Sequence, residues 1–269
     1  MSVIQPVVFL SHGGGPLPLL GDKSHLEMLD VFASLKGRLT KPAAILLVSA
    51  HWEEPQFTLT ATASPGLVFD YYGFPPETYQ YRYPAPGAPD LALKTKALLQ
   101  EHGLEAHLEL HRGVDHGVFV PMLLLFPDAD VPVVQLSLKR GLDAAEHLQL
   151  GQALQRLRQQ GILLMGSGYT FHNLSAVMGV KTASVVEKCM QFHDWLDIQI
   201  TDPGLSQSQR FAALTQWQQA PNARFCHPRE EHLLPLHFCC AAADGQVAEA
   251  LHFNMMGLPA RCYFWAGAD

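Results

Sequence analysis

Short apolar runs alternate with amphipathic stretches along most of this chain. Runs at 7–10, 43–50, 57–62, 106–110, 132–137, 161–165, 252–254 and 260–265 have the length and composition of strands, and those near 7, 45 and 162 are apolar enough to be buried on both faces. Between them, a period near 3.6 predicts helices over 24–36, 89–101, 118–125, 143–159, 183–201, 206–217 and 229–243. Strands that alternate with helices predict an α/β fold. Ser24 with Glu27 three residues on predicts a capping box for the first helix, and Pro228 predicts that the last begins at Arg229.

One stretch breaks the alternation. Residues 64–88 hold five prolines, three glycines and five of the seven tyrosines. A loop of that length in a compact domain is more often functional or disordered than incidental, and its aromatic content argues against disorder. It is expected either to pack its own rings against the body or to wall an aromatic ligand.

Composition narrows the class. The 269 residues are 48% hydrophobic and 16% charged, which allows a sizeable core and excludes a disordered chain. A net charge of −7 with no basic cluster gives no nucleic-acid face. No apolar run approaches the roughly 18 residues of a membrane span, and no signal-peptide pattern opens the chain. The five cysteines include no C-x-x-C pair, so neither a disulfide framework nor a thiolate zinc site is expected. A cytoplasmic protein with buried free thiols is the expectation, as a monomer or small homo-oligomer.

Three histidines carry the first chemical signal. His12, His51 and His172 each follow an apolar run. Ligands of open α/β sheets bind outside the carboxyl ends of the strands, so three imidazoles arriving there suggest a metal site. Position has to discriminate, because the chain has fourteen histidines. His25, His147 and His193 fall inside predicted helices and His102 and His107 flank a turn, which gives them surface or packing roles. His12 opens His12-Gly13-Gly14-Gly15, similar to an oxyanion-hole motif, but the G-x-S-x-G elbow that must accompany it fails around Ser167, where Met165 and Tyr169 take the outer positions. A serine hydrolase is therefore disfavoured. His51 precedes Trp52, Glu53 and Glu54, which suits a metal ligand with carboxylate support; the alternative is that Trp52 is core and His51 points outward. Asp115 beside His116 could orient an imidazole for acid–base work, or could merely cap a helix. In the 227–237 cluster the H-E-x-x-H pattern is absent, and one ligand among Glu230, Glu231 and His232 is left open by spacing.

Taken together, Ser11-His12-Gly13-Gly14-Gly15-Pro16, Ser49-Ala50-His51-Trp52, Asp70-Tyr71-Tyr72-Gly73-Phe74-Pro75, Asp115-His116-Gly117, Gly166-Ser167-Gly168 with His172-Asn173-Leu174, and Arg229-Glu230-Glu231-His232-Leu233 resemble class III extradiol ring-cleavage dioxygenases of the DOPA 4,5-dioxygenase-like branch. All six stretches occur in that family's order. The resemblance implies one α/β catalytic domain over 1–269, with a central, mostly parallel or mixed sheet flanked by helices. It implies a non-haem metal held by His12, His51 and a third residue from the helix near 232. The wider class uses glutamate there; His232 stands at that position in this chain. Fe(II) is the metal of the family, and three neutral imidazoles also suit Zn(II). His172 matches the catalytic histidine and could close on the metal as a fourth ligand, and His116 matches a second acid–base. The implied substrates are a small catechol and O₂, with the Tyr-rich loop (Tyr72) and Trp52 as candidate aromatic walls and Arg82 as a candidate carboxylate partner. A zinc-dependent hydrolase on the same scaffold and a non-catalytic binding protein are the rival readings.

Overall fold

The structure, a computed structural model, describes residues 4–268. Its strands are β1 Val7–Ser11, β2 Ala44–Glu54, β3 Phe57–Thr60, β4 Ala106–Glu109, β5 Val133–Lys139, β6 Ile162–Gly168, β7 Glu249–Met255 and β8 Leu258–Trp265. They form a single sheet in the order β4-β3-β5-β2-β6-β1-β8-β7. The four middle strands β5, β2, β6 and β1 run parallel, and β8 and β7 close one side antiparallel. On the other side β3 is antiparallel to β5 and parallel to β4. The expected mixed α/β sheet is therefore present, and each predicted strand has its counterpart.

The α-helices among the described residues are α1 Leu26–Arg38, α2 Pro89–Glu101, α3 His116–Leu125, α4 Ala144–Leu154, α5 Leu174–Met178, α6 Ala183–Thr201, α7 Gln207–Thr215, α8 Ala223–Cys226 and α9 Leu234–Ala242. Local chemistry explains several starts. Asp143, Thr182 and Ser206 each accept a backbone N–H three residues on, and Ser206 with Gln209 completes a capping box. α9 is buried on all sides and α3 nearly so, as apolar helices covering the two faces of a sheet must be. None of the helices is long and apolar enough to cross a membrane.

Two predicted helix starts are corrected. Asp22 caps a short 3₁₀ turn at Lys23–His25, while Glu27 turns away to bond Asn254, so no Ser24–Glu27 box forms. The last helix begins at Leu234, with Pro235 in its first turn; residues 229–233 are a turn, and His232 lies before the helix. Proline supports the first helical turn and breaks an interior, so Pro235 is the better start signal than Pro228.

All five cysteines are buried and unpaired. Burial pushes the Cys189, Cys240 and Cys262 thiols up to about 12 and also raises those of Cys226 and Cys239. Several histidines are also inside. Burial lowers His147 to about 4 and His227 to about 3, and it holds His193 well below 6.5. Each stays neutral in the fold but takes up a proton in the unfolded chain below about pH 6.5. Stability is thus complete above pH 6.5 and falls with acidification towards the folded values, by up to about 1.4 kcal/mol per pH unit for each histidine. Urea unfolding of the chelator-treated chain between pH 7.5 and 5 checks this, and a flat profile refutes it.

Candidate metal centre

Parallel neighbours end on one edge of the sheet, so β1, β2 and β6 deliver their following residues to the same place. His12 N donates to Gly168 O at 3.0 Å, carrying the β1–β6 pairing one residue past β1. β2 does not stop at Ala50; it runs to Glu54, and its register against β5 shifts between Val48 and Glu53. Such irregularities re-aim side chains next to active sites, and His51 falls within this one. His172, beyond β6, is fastened by its N–H to Cys226 O at 2.9 Å. His232 is fastened through its carbonyl, which accepts from Tyr169 N at 3.0 Å. That approach requires glycine at 168, where a Cβ would collide with the His232 carbonyl oxygen. On the other face, a Cβ at Gly117 would stand 2.6 Å from Ser49 Oγ and 3.0 Å from His51 Cδ2, so glycine there lets α3 press against His51.

The structure brings His12, His51 and His232 together. Nε2 of His51 lies 2.9 Å from Nε2 of His12 and 3.2 Å from Nε2 of His232. The opposite ring nitrogens face acceptors. Ser167 Oγ donates to Gly117 O at 2.5 Å, so it accepts the Nδ1–H of His12 at 2.9 Å. Glu231 Oε1 accepts from His232 Nδ1 at 2.9 Å, and Asp70 Oδ2 lies 3.5 Å from His51 Nδ1. With the proton on each Nδ1, three Nε2 lone pairs converge with no hydrogen between them. Lone pairs about 3 Å apart repel unless a cation sits among them, and that spacing matches nitrogens about 2.0–2.1 Å from a shared ion. Burial, then the neighbouring imidazoles, depress His12 and His51 well below 6.5. His232 is lowered to about 4 by burial and His172, against the opposing pull of Glu231. Neutral imidazoles with free lone pairs are metal donors, and these residues fit a divalent ion.

His116 and His172 join the cluster from two sides. The His116 ring centroid is 3.9 Å from that of His51, and its Nδ1 bonds Asp70 Oδ1 at 2.8 Å. His172 stacks on His232 at 3.4 Å with 19° between planes, and its Nδ1 lies 3.0 Å from Glu231 Oε1. Near-parallel rings aim their in-plane lone pairs side by side, not at one point. Burial works to raise Glu231, but bonds from His172 and His232 outweigh it and hold the carboxyl well below its ordinary range. Asp115 does not orient His116. It is fully buried, bonded by Ser49 Oγ at 2.7 Å and by Gln135 Nε2, and the His116 partner is Asp70.

The other sequence candidates lie farther out. Trp52 is 3% exposed, lies under the Arg112 guanidinium and donates to Glu54 Oε1 at 2.9 Å. Tyr72 is 91% exposed, and Arg82 is exposed with no ion pair among the described residues. The ring beside the cluster is Tyr71, edge-on to His116 at 5.7 Å and also packed on Phe74, Tyr79 and Phe119. Its hydroxyl donates to Thr78 O at 2.6 Å, so the loop packs its own aromatics. Sequence alone gives Asp70 and Ser167 no functional role, and within the Tyr-rich loop it singles out Tyr72 rather than Tyr71. His25, expected to pack, is fully buried; its Nε2 accepts the Gly14 N–H at 3.1 Å and so holds the glycine loop after His12.

The chain is similar to known proteins over most of its length. Residues 6–265 match the family model described as the catalytic LigB subunit of aromatic ring-opening dioxygenase. The chain is 37% identical to the dioxygenase tasH of Hapsidospora irregularis, over 99% of this chain and 87% of that protein. It is 34% identical to the 4,5-DOPA dioxygenase extradiol of Beta vulgaris, covering 94% and 93%, and 34% identical to that of Escherichia coli K12, covering 91% and 88%. A solved structure of an uncharacterized protein from Escherichia coli K12 superposes with a TM-score of 0.76 at 29% identity, over 97% of this chain and 100% of that one.

Proposed function

This chain belongs to the family of the catalytic LigB subunit of aromatic ring-opening dioxygenases, and from that membership we propose that His12, His51 and His232 hold Fe(II), that His172 and His116 move protons, and that the substrate is a DOPA-like catechol. It is an extradiol ring-cleaving dioxygenase, metal-dependent and acting on an aromatic substrate with O₂. The hydrolase and non-catalytic readings give way to that membership. One observation carries the ligand assignment: three Nε2 atoms converge while each Nδ1 faces an acceptor.

His12, His51 and His232 would hold the metal, which when bound would supply Lewis acidity towards the catechol and redox chemistry for O₂. The remaining work falls to side chains. His116 and His172 keep Nδ1–H on Asp70 and Glu231, so the proton each gives or takes sits at Nε2. A catechol loses a hydroxyl proton on binding and regains one as the ring opens, and imidazole suits both transfers. His172 works beside the metal, because its ring lies parallel to a ligand ring. Tyr71 and its neighbours form the aromatic wall, Tyr72 lies at the rim, and Arg82 is free to meet a substrate carboxylate. Trp52 is buried next to His51 on β2 and anchors that strand. Fe(II) is assigned because Zn(II) has no redox chemistry to offer O₂; zinc would fill the same nitrogens silently. Buried reduced thiols suit a cytoplasmic enzyme, a monomer or small homo-oligomer with no nucleic-acid partner.

The test is a panel of catechols with anaerobically loaded protein. Oxygen uptake and a yellow ring-opened product are expected with Fe(II) and absent with Zn(II), with DOPA ahead of catechols lacking a charged side chain. Equal rates with both metals overturn the iron assignment, and no preference for DOPA overturns the substrate.

A further inference from the structure

Neutral imidazoles leave the whole charge of a divalent ion uncompensated. Among the described residues, two carboxylates touch the ring nitrogens of the cluster, and each touches two rings. Asp70 Oδ1 accepts from His116 Nδ1 at 2.8 Å and from His116 N at 3.0 Å, while Oδ2 lies 3.5 Å from His51 Nδ1. Glu231 Oε1 accepts from His232 Nδ1 at 2.9 Å and lies 3.0 Å from His172 Nδ1. Their side chains are only 18% and 11% exposed, so water screens them little. The pairing has one logic in both cases: one carboxylate is shared by a ring assigned above to the metal and a ring assigned above to proton transfer, although His116 also lies close enough to His12 and His51 for the three to hold one ion.

We infer that Asp70 and Glu231 are paired positioning residues, each tying one metal-holding imidazole to one proton-moving imidazole, and together supplying the two negative charges that the neutral ligand set lacks. The inference rests on the ligand set proposed above. A carboxylate behind a ligating histidine fixes its tautomer and raises its basicity, and loss of such partners typically weakens metal binding by 10–100-fold. Two of them here do from outside the ligand ring what a ligating carboxylate would do within it. Arg229 keeps the second of these anions in place, with Nη1 3.5 Å from Glu231 Oε2 and its fork on Glu53 at 2.6 Å.

Titration of the metal-free full-length chain with Co(II), followed by visible absorption and paired with thermal unfolding without metal, tests this. Asp70→Asn and Glu231→Gln keep an oxygen of the same reach and remove the charge. Each is expected to weaken Co(II) binding by about 10–100-fold, with the metal-free unfolding temperature unchanged. Glu231→Asp and Asp70→Glu keep the charge and are expected to recover most of the loss; they also decide the matter should an amide variant fail to fold. Affinities within about twofold of wild type in both amides, or charge-retaining variants no better than the amides, overturn the inference. His12→Ala separates it from the ligand set. If that variant loses Co(II) while both amides bind normally, only the carboxylate inference fails; if it binds Co(II) like wild type, the ligand set itself fails.

Discussion

Replacing His172 with alanine leaves the metal bound and lowers ring-opening turnover by about 10²–10⁴-fold, the range a lost acid–base group accounts for. The geometry separates the two effects. His172 lies flat on His232 at 3.4 Å, so its lone pair runs beside that of His232 and does not converge with it. Removing the ring leaves His232 Nδ1 bonded to Glu231 at 2.9 Å and leaves the 2.9 and 3.2 Å Nε2 spacings without a missing member. An interaction made only as protons move lowers kcat with little change in KM. Elemental analysis alongside oxygen uptake at saturating catechol decides it. Normal turnover sinks the proton-transfer role, and loss of the metal makes His172 a ligand.

The second large effect comes from a single methyl group. Gly168→Ala puts a Cβ into the carbonyl oxygen of His232, a backbone atom that no rotamer change can move aside. The turn at 229–233 must then lift from β6, breaking the Tyr169 N–His232 O bond and drawing the His232 ring away from its partners. Overpacking of this kind costs about 1–3 kcal/mol or more, and metal affinity should fall by at least about tenfold with it, as about 1.4 kcal/mol corresponds to tenfold. Gly37→Ala is the control. Residue 37 lies in α1 with open space around it, and alanine there should stabilise by about 0.5–1 kcal/mol. Urea unfolding with metal titration on both variants checks the contrast; an unaffected Gly168→Ala would mean that the turn is not seated on the sheet.

Strand positions were legible because buried strands are continuous apolar runs, and a run such as Val7 to Leu10, too short for a helix and bounded by turn residues, fits a sheet interior and little else. Strand ends were not. β2 continues through His51, Glu53 and Glu54, polar residues that look like a loop in sequence; His51 lies in the register shift, and only Glu53 and Glu54 pair with β5 beyond it. The predicted start of the last helix at Arg229 fails for a local reason instead: Pro235 would lie in the interior of a helix over 229–243 and break it, whereas it supports the first turn of α9. Within the site, His12, His51 and His172 were visible because strand ends share an edge. Their partners were not. His116 has Asp115 beside it in sequence but takes Asp70 from 46 residues away, because Asp115 is already bound by Ser49 and Gln135. Ser167, set aside with the failed hydrolase motif, holds His12. Hydrogen-bond partners across a sheet leave no local pattern, so such residues emerge only from the fold.

The burial of the five thiols has a consequence for an enzyme that handles O₂. Oxidants attack thiolates, and sulfenic acid forms first where a cysteine is both ionised and accessible. Here no cysteine is either: all are buried, and burial holds every thiol protonated. Reactive oxygen species that escape the reaction thus meet a surface without sulfhydryls, and among the described residues the sulfur most open to them is the thioether of exposed Met178.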